Sequence, residues 1–423
     1  MNSLTEAYDV VVCGGGPAGL FAATAAARQG MKTALVERFG FFGGAATASL
    51  VVPISGFFKN GERVVTGLPW AFIERLRALG AAQIEMPKGH ISVDPEYYKL
   101  IAQRMVLEAG VKPWTNCLLS GAEVSAGHIL AVTLCAKGTS VRLQGKVFID
   151  ATGDGDLCAL AEIPTDVSPS PQPLSLCFEL INVDVTTPLL RDCIHHNGLG
   201  GKPSCNQEIR AYLEAQAATP FGGPWFNTLL KGDRLAVNMT RYTGDTLDPQ
   251  AMTQAECRLR EDMFALIELL RSRYPEFAHC ALSCSAVSAG AREGRHLRGL
   301  YRLTGDDVMA GARFDDTAAR CAHIIDIHDP HRTTQTIETP PRAADIPYRA
   351  MVSPASDNLI AAGRLISADA RAHASLRVQG TCMSLGQSAG LAAAMAIKNQ
   401  ADVRSVRWKY DAMKQLEGNA AGR

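Results

Sequence analysis

Three groups of residues in this chain have types and spacings that can do chemistry. Gly14-Gly15-Gly16-Pro17-Ala18-Gly19 places Gly14, Gly16 and Gly19 in the G-x-G-x-x-G pattern, with Pro17 and Ala18 opening the helix that follows. The first glycine permits a tight turn, the second lets a pyrophosphate approach the backbone, and the third lets helix and strand pack closely. Glu37 follows the turn by roughly 20 residues, where a carboxylate accepts hydrogen bonds from ribose hydroxyls and repels a 2′-phosphate. The pattern predicts a dinucleotide site and disfavours NADP. A second group is Arg292 and Arg295, in the run Ala291–Gly299, either of which can clamp a substrate carboxylate in bidentate fashion. A salt-bridged or solvated strand face is the competing reading. The third comprises His328, at the end of Ile325-Asp326-Ile327-His328, together with His373 and Arg377. An imidazole titrating near neutrality is a fitting proton shuttle. A core histidine bonded to Asp326 or Asp329 is the alternative for His328, and a loop-orienting role for His373.

The elements that must position these groups can be read from the pattern. Val10, Val11 and Val12 predict a strand buried on both faces, Leu20–Gln29 a helix closed by Gly30, and Lys32–Val36 a second strand ending in Glu37. Next comes a second glycine-rich loop containing Arg38, Gly43, Gly44, Ala45 and Thr47, whose small residues let backbone amides meet another stretch of the same long ligand. Asp94 caps a helix with Pro95 at its first position and Gly110 as its stop. Alternating strands lead to Phe148-Ile149-Asp150-Ala151-Thr152-Gly153-Asp154-Gly155-Asp156. Asn358–Ala362 predicts a further buried strand, and Thr381 caps a last helix, Cys382–Lys398, with Gly386, Ser388, Ala389 and Gly390 as close-packing positions.

Four stretches, VVVCGGGPAG, ALVER with GFFGGAAT, VFIDATGDGD and NLIAAGRLISADARAHASLRVQGTCMSLGQSAGLAAA, resemble the FAD-dependent oxidoreductases of the glutathione-reductase-like superfamily. The resemblance runs in order from residue 9 to about 396. It implies noncovalently bound FAD as cofactor. It also implies an α/β fold, with a discontinuous Rossmann-like FAD-binding domain and an inserted α+β substrate domain. The expected boundaries are 1–53, 91–165 and 346–423 for the FAD domain, 54–90 for a small insertion and 166–345 for the substrate or cap domain. It carries flavin- and ribityl-binding roles to Ala151, Thr152, Gly153, Asp156, Gly363, Arg364 and Met383. A helix N-terminus at the flavin would stabilise negative charge on the reduced ring by roughly 0.3–2 kcal/mol. The family often has Arg-Glu-Ser-Arg-Arg near residue 292, so Gly294 and His296 depart from its pattern.

Absences narrow the class. Residues 39–53 hold no cysteine pair for dithiol exchange and no histidine for a covalent flavin link. The run Gly198-Leu199-Gly200-Gly201 follows His195-His196-Asn197 rather than an apolar strand, so no second dinucleotide domain is expected. The redox partner is therefore an external electron carrier or oxygen. Of the aromatic hydroxylase signatures, Gly153-Asp154-Gly155-Asp156 echoes the Asp-Gly motif only superficially, and the Gly-Asp motif is replaced by Gly363-Arg364. The expected reaction is hydride exchange between a small organic substrate and flavin N5. A monooxygenase using NAD(P)H and oxygen, and an isomerase or lyase without net redox, remain alternatives.

The 166–345 stretch breaks the βαβ rhythm. Leu174–Asn182 and Leu235–Tyr242 predict strands, and Thr253-Gln-Ala-Glu256 a capping box for a helix reaching about Ser272. His279, Cys280 and Cys284 make a poor zinc set, so no metal is expected and buried thiols are. The 423 residues carry 42 basic and 42 acidic side chains, which gives no general pull toward nucleic acid or an anionic membrane. No apolar run reaches the ~20 residues of a membrane span. A polar, acidic start and twelve scattered cysteines lead us to expect a cytoplasmic protein with reduced thiols. Homo-oligomerisation is left open.

Overall fold

The computed structural model describes residues 3–86, 89–195, 205–230, 233–330, 333 and 335–409. The Gly198–Gly201 run lies outside them.

The valines at 10–12 are fully buried and lie near the carboxyl end of a strand, Ser3–Cys13, that begins earlier than expected. It pairs in parallel with Thr33–Val36 on one side and with Thr139–Asp150 on the other. Strands covered on both faces need no polar alternation, so their apolar runs fit this central place. Lys112–Trp114 extends the parallel sheet beyond Thr33–Val36. The long strand Thr139–Asp150 divides its remaining edge. Its first half pairs antiparallel with His128–Ala136, which pairs with Leu118–Ser125, and its last three residues pair in parallel with Leu359–Ala361.

The register fixes the site. Cys13 stands opposite both Val36 and Asp150, and Asp150 stands opposite Ala361. Four strands therefore release their chains at one edge of the sheet, into Gly14, Glu37, Ala151 and Ala362. The carboxyl edge of a parallel sheet is where such folds bind ligands.

One face is covered by Pro17–Arg28 and the last helix, Gln379–Lys398. The close-packing positions behave as their size predicts. A Cβ on Gly386 would stand 2.0 Å from the Ala18 carbonyl oxygen, and one on Gly390 2.1 Å from that of Ala22. The capping expectation fails here. Val378, not Thr381, precedes the helix, and Thr381 is fully buried inside its first turn.

A second core lies in the middle of the chain. A four-stranded antiparallel sheet runs in the order Phe221–Thr228, Leu235–Thr240, Phe178–Ile181, Ala281–Ser285, and Leu259, Met263, Leu266 and Leu270 of helix Pro249–Arg273 share its core. That helix starts a turn before Thr253, capped by Asp248, whose carboxylate accepts the Gln250 amide at 2.9 Å. Thr253 instead donates to the Pro249 carbonyl, and Glu256 accepts the Ala289 amide. Local sequence matched a capping box, but Asp248-Pro249 offers an earlier and sufficient start. The second core ends at Ala289, whereas Leu297, Leu303, Val308, Ala318 and Ile346 pack in the first. Among the described residues ten thiols are free, but Cys284 is exposed and Cys193 is disulfide-bonded, against the expectation of buried, wholly reduced cysteines. No helix among the described residues is long and apolar enough to cross a membrane.

Gly386→Ala and Gly390→Ala each force the first and last helices apart. Each is expected to cost about 1–3 kcal/mol or more, read as a lower denaturant midpoint with unchanged slope.

Candidate active site

The shared strand edge opens into a cavity of about 990 Å³. At its first turn, Gly14 donates its amide to the Val36 carbonyl at 2.9 Å and has φ +99°. A Cβ there would lie 2.4 Å from the Ala151 carbonyl oxygen, so two of the four strand exits touch only because this residue is glycine. Gly16 differs. A Cβ on it would meet only the Gly44 Cα, at 3.9 Å, leaving its face open to a phosphate at the N-terminus of Pro17–Arg28. Glu37 accepts the Gly15 amide at 2.8 Å through one oxygen and the Phe39 amide at 2.9 Å through the other. Burial still pushes its pKa up despite those bonds. Each oxygen keeps a lone pair for a ribose hydroxyl.

The third exit is shaped by Asp150, fully buried at the strand end. Its carboxylate accepts the Thr152 amide at 3.0 Å, the Thr152 hydroxyl at 2.8 Å and the Cys158 amide at 2.9 Å. Thr152 Oγ1 in turn accepts the Asp156 amide. Asp154 pairs with Arg364, from the fourth exit, at 2.6 Å. Asp156 faces the cavity, its pKa pushed up to about 6 by burial and by the Asp154 and Asp150 charges.

The expected cofactor residues divide by position. Gly14, Gly16, Pro17, Ala18, Glu37, Arg38, Gly44, Ala45, Ala151, Thr152, Gly153, Asp156, Gly363 and Arg364 line the cavity. Gly19, Gly43, Thr47 and Met383 stand behind the wall. Gly19 packs on the Gly14 carbonyl, Gly43 makes a left-handed turn at φ +118°, Thr47 donates to the Phe42 carbonyl, and Met383 is fully buried.

The two arginines of the 291–299 run part company. Arg295 points to the turn, donating to the Asp154 carbonyl at 3.1 Å and standing 3.5 Å from Asp156. Arg292 points the other way, to the second core, where it donates to Ser175 Oγ at 2.9 Å. Burial, then the Arg377 charge, pushes the Arg292 guanidinium down to about 9. Arg377 donates to the Asp326 carbonyl at 3.0 Å. His328 Nε2 lies 3.2 Å from Asp326 Oδ2, and its Nδ1 is 3.5 Å from the Arg241 guanidinium. Burial and Arg292 bring the imidazole down to about 3, so at neutral pH it is an uncharged acceptor rather than a group titrating near 7. His328 is bonded to Asp326, as the core-histidine alternative expects, and it also lines the cavity. His373 is not among the cavity-lining residues. It is fully buried, edge-on to the His296 ring with centroids 4.5 Å apart.

Residues 9–417 match the family model described as FAD dependent oxidoreductase. The chain belongs to that family. A dihydrolipoyl dehydrogenase of Trypanosoma brucei brucei is 30% identical over 167 residues, which is 38% of this chain and 32% of that enzyme. The chain thus aligns with about a third of that relative's length. A flavoprotein/dehydrogenase structure from Cytophaga hutchinsonii is similar at 14% identity, TM-score 0.50, covering 98% of this chain and 84% of the other. A geranylgeranyl bacteriochlorophyll reductase-like structure from Thermoplasma acidophilum gives 14% identity and TM-score 0.49 over 98% and 83%.

The cavity fits the FAD of this family. Open backbone at Gly16, an acid at Glu37 and the Gln379 helix N-terminus all line it. Arg364 Nε and Gln379 Oε1 are buried at its wall without a hydrogen-bond partner, as groups awaiting a polar ligand would be. Sequence reasoning missed Asp150 and Asp154 as the organisers of the third turn, though both lie inside the quoted motif. It also missed Asp326 as a site residue and Gln172, whose Oε1 accepts the His328 amide at 3.1 Å. Gln172 carries no local signal, being drawn in only by the fold.

Removing the Glu37 carboxylate as Glu37→Ala is expected to weaken FAD binding roughly 10- to 100-fold, the value of one or two hydrogen bonds to a charged group. Fluorescence titration of FAD into the apoprotein measures it. Because the folded pKa of Asp156 lies above the unfolded one, its contribution is complete below pH 3.8 and lost as pH rises through about 6. Asp156→Asn should flatten that part of the apoprotein's profile of Tm against pH.

Proposed function

We propose that this FAD-dependent oxidoreductase exchanges a hydride with a small organic substrate carrying a carboxylate or similar anion. The observation that supports this most is the wall opposite the Gly14 turn. Arg292 and Arg377 reach the cavity there beside Asp326 and His328, and Arg210 lines it from the second core. FAD, when bound, supplies the hydride-accepting or hydride-donating atom. The protein must supply charge binding and proton handling.

Two buried guanidinium groups near one another are costly, and a substrate anion between them offsets that cost. Arginine stays protonated and offers planar, paired donors that match a carboxylate, so it anchors and orients in one contact. With Nε2–H donating to Asp326, His328 Nδ1 accepts from the Arg241 guanidinium at 3.5 Å, a long contact that a substrate donor would displace. A substrate hydroxyl or amine there gives up its proton as the neighbouring carbon–hydrogen bond is broken. Asp326 holds the ring's tautomer and stabilises the imidazolium that forms. Its carboxylate is held well below the usual range by His328 and Arg377, although burial opposes them. The same groups, run backwards, serve a reductase.

The inserted segment covers this wall, and turnover needs an external electron carrier or oxygen. Within this reading FAD is bound noncovalently, and the cap core ends near residue 290 rather than at 345, because Leu297, Leu303, Val308, Ala318 and Ile346 pack in the first core.

Anaerobic mixing of the holoprotein with a panel of hydroxy and amino acids tests the reading through bleaching of the flavin spectrum. Arg292→Gln is expected to lower kcat/KM for the anionic substrate roughly 10- to 100-fold, mostly through KM. His328→Gln is expected to lower kcat about 10²- to 10⁴-fold with FAD content unchanged. NAD(P)H consumption matched one-for-one by oxygen, with no anaerobic bleaching, selects the monooxygenase instead.

A further inference from the structure

Behind the cavity wall, Glu293, His296 and His373 bring one carboxylate and two imidazoles together, with ligand atoms all within 4.8 Å of one another. Each is nearly or completely shielded from solvent: Glu293 is 2% exposed, His296 6% and His373 0%. From these residues we propose a binding site for one divalent first-row transition-metal ion, Zn(II) or Fe(II).

Hydrogen bonding leaves the cluster incomplete without such an ion. Both nitrogens of His373 and Nδ1 of His296 are buried with no partner. A buried polar nitrogen without a partner costs free energy, and one ring carrying two is rare. The only bond inside the cluster joins His296 Nε2 to Glu293 Oε1 at 3.2 Å, which is also the spacing of adjacent donors around one ion. Tetrahedral donors bound at 2.0–2.2 Å stand roughly 3.3 to 3.6 Å apart, so the widest pair, within 4.8 Å, needs to close by at most about 1.5 Å. The other oxygen of Glu293 accepts the Gln172 amide at 3.1 Å, an outer contact of the kind that orients a ligating carboxylate. Two imidazoles and one carboxylate suit zinc and ferrous iron rather than magnesium or calcium.

The surrounding charges permit it. Burial, then His296, Arg377 and Arg364, hold the His373 imidazole in its neutral, ligating form. Those arginines also oppose a cation, but Arg364 is neutralised by Asp154 at 2.6 Å and Arg377 faces Asp326 at 3.8 Å. The Glu293 carboxylate carries the compensating charge of the site itself. Both histidines lie away from the cavity, so the ion would join the 293–296 segment to the short helix Ala370–Leu376 without touching substrate. This assignment is independent of the substrate reading above.

The FAD-loaded protein, stripped with a chelator and desalted, is incubated anaerobically with one equivalent of Zn(II) or Fe(II), desalted again and analysed for metal and flavin. The expected result is about one metal per chain for at least one ion. His373→Asn and His296→Asn are expected to retain less than a tenth of that at equal flavin content. X-ray absorption on the loaded wild-type protein should show two imidazoles, which decides the matter even if the variants misfold. Wild-type protein that retains neither ion, variants that retain metal as well as wild type does, or a spectrum without imidazole scattering overturns the proposal.

Discussion

The structure depends on the register that lines up Cys13, Val36, Asp150 and Ala361 across one parallel sheet. Parallel pairing makes every strand end at the same edge, so four loops far apart in sequence are delivered to one place. The loops then have to touch, and only small residues allow it. Gly14 lies against Ala151, Gly16 against Gly44, and Gly19 against the Gly14 carbonyl. A side chain at Gly14 or Gly19 would part the loops before a ligand could bridge them. The same limit reaches the last helix, whose Gly386 and Gly390 rest on the backbone of the first.

Placing charge at such a crowded edge requires backbone donors in place of water. Asp150 and Glu37 show two solutions. Asp150 is fully buried and spends three hydrogen bonds on the turn it shapes, so it is structural. Glu37 takes one amide on each oxygen, which fixes its rotamer and leaves acceptor capacity directed outward. On the opposite wall the balance is different. Arg292 and Arg377 are buried at the same cavity wall, and burial lowers the pKa of both guanidinium groups.

The legible part of this site was the part written in contiguous residues. The Gly14–Gly19 turn, Glu37 and Ala151–Asp156 each combine motif, strand and helix within a few residues, so their local physics is their tertiary role. The family match over residues 9–417 agrees with the FAD assignment and the α/β fold. Where two local solutions competed, the pattern misled. Thr253 matched a capping box, but Asp248-Pro249 started the helix first, and Thr381 lost its cap because the helix extends back to Gln379. The division of Arg292 from Arg295 was invisible for another reason. Three residues separate them, and only the distance between the second core and the Asp154 turn sends them in opposite directions. His373 looked well placed by its nearness to the last helix, yet it is turned inward onto His296.

These partings trace one ribbon of chain, residues 286–296, along the interface between the two cores. The Val287 amide donates to the Ala48 carbonyl of the second glycine-rich loop, and the Ala289 amide to Glu256 of the long cap helix. Arg292 then reaches Ser175, Glu293 accepts from Gln172, and Arg295 reaches Asp154. Successive residues thus touch the cofactor loop, the cap, the substrate wall and the third turn. The hydrogen bonds of this ribbon anchor it to both cores. Gly290 against Ser49 and Gly294 against Asp154 leave little room for it to slide. Arg292 at the cavity wall and Arg295 at the Asp154 turn are therefore anchored within one tightly held segment.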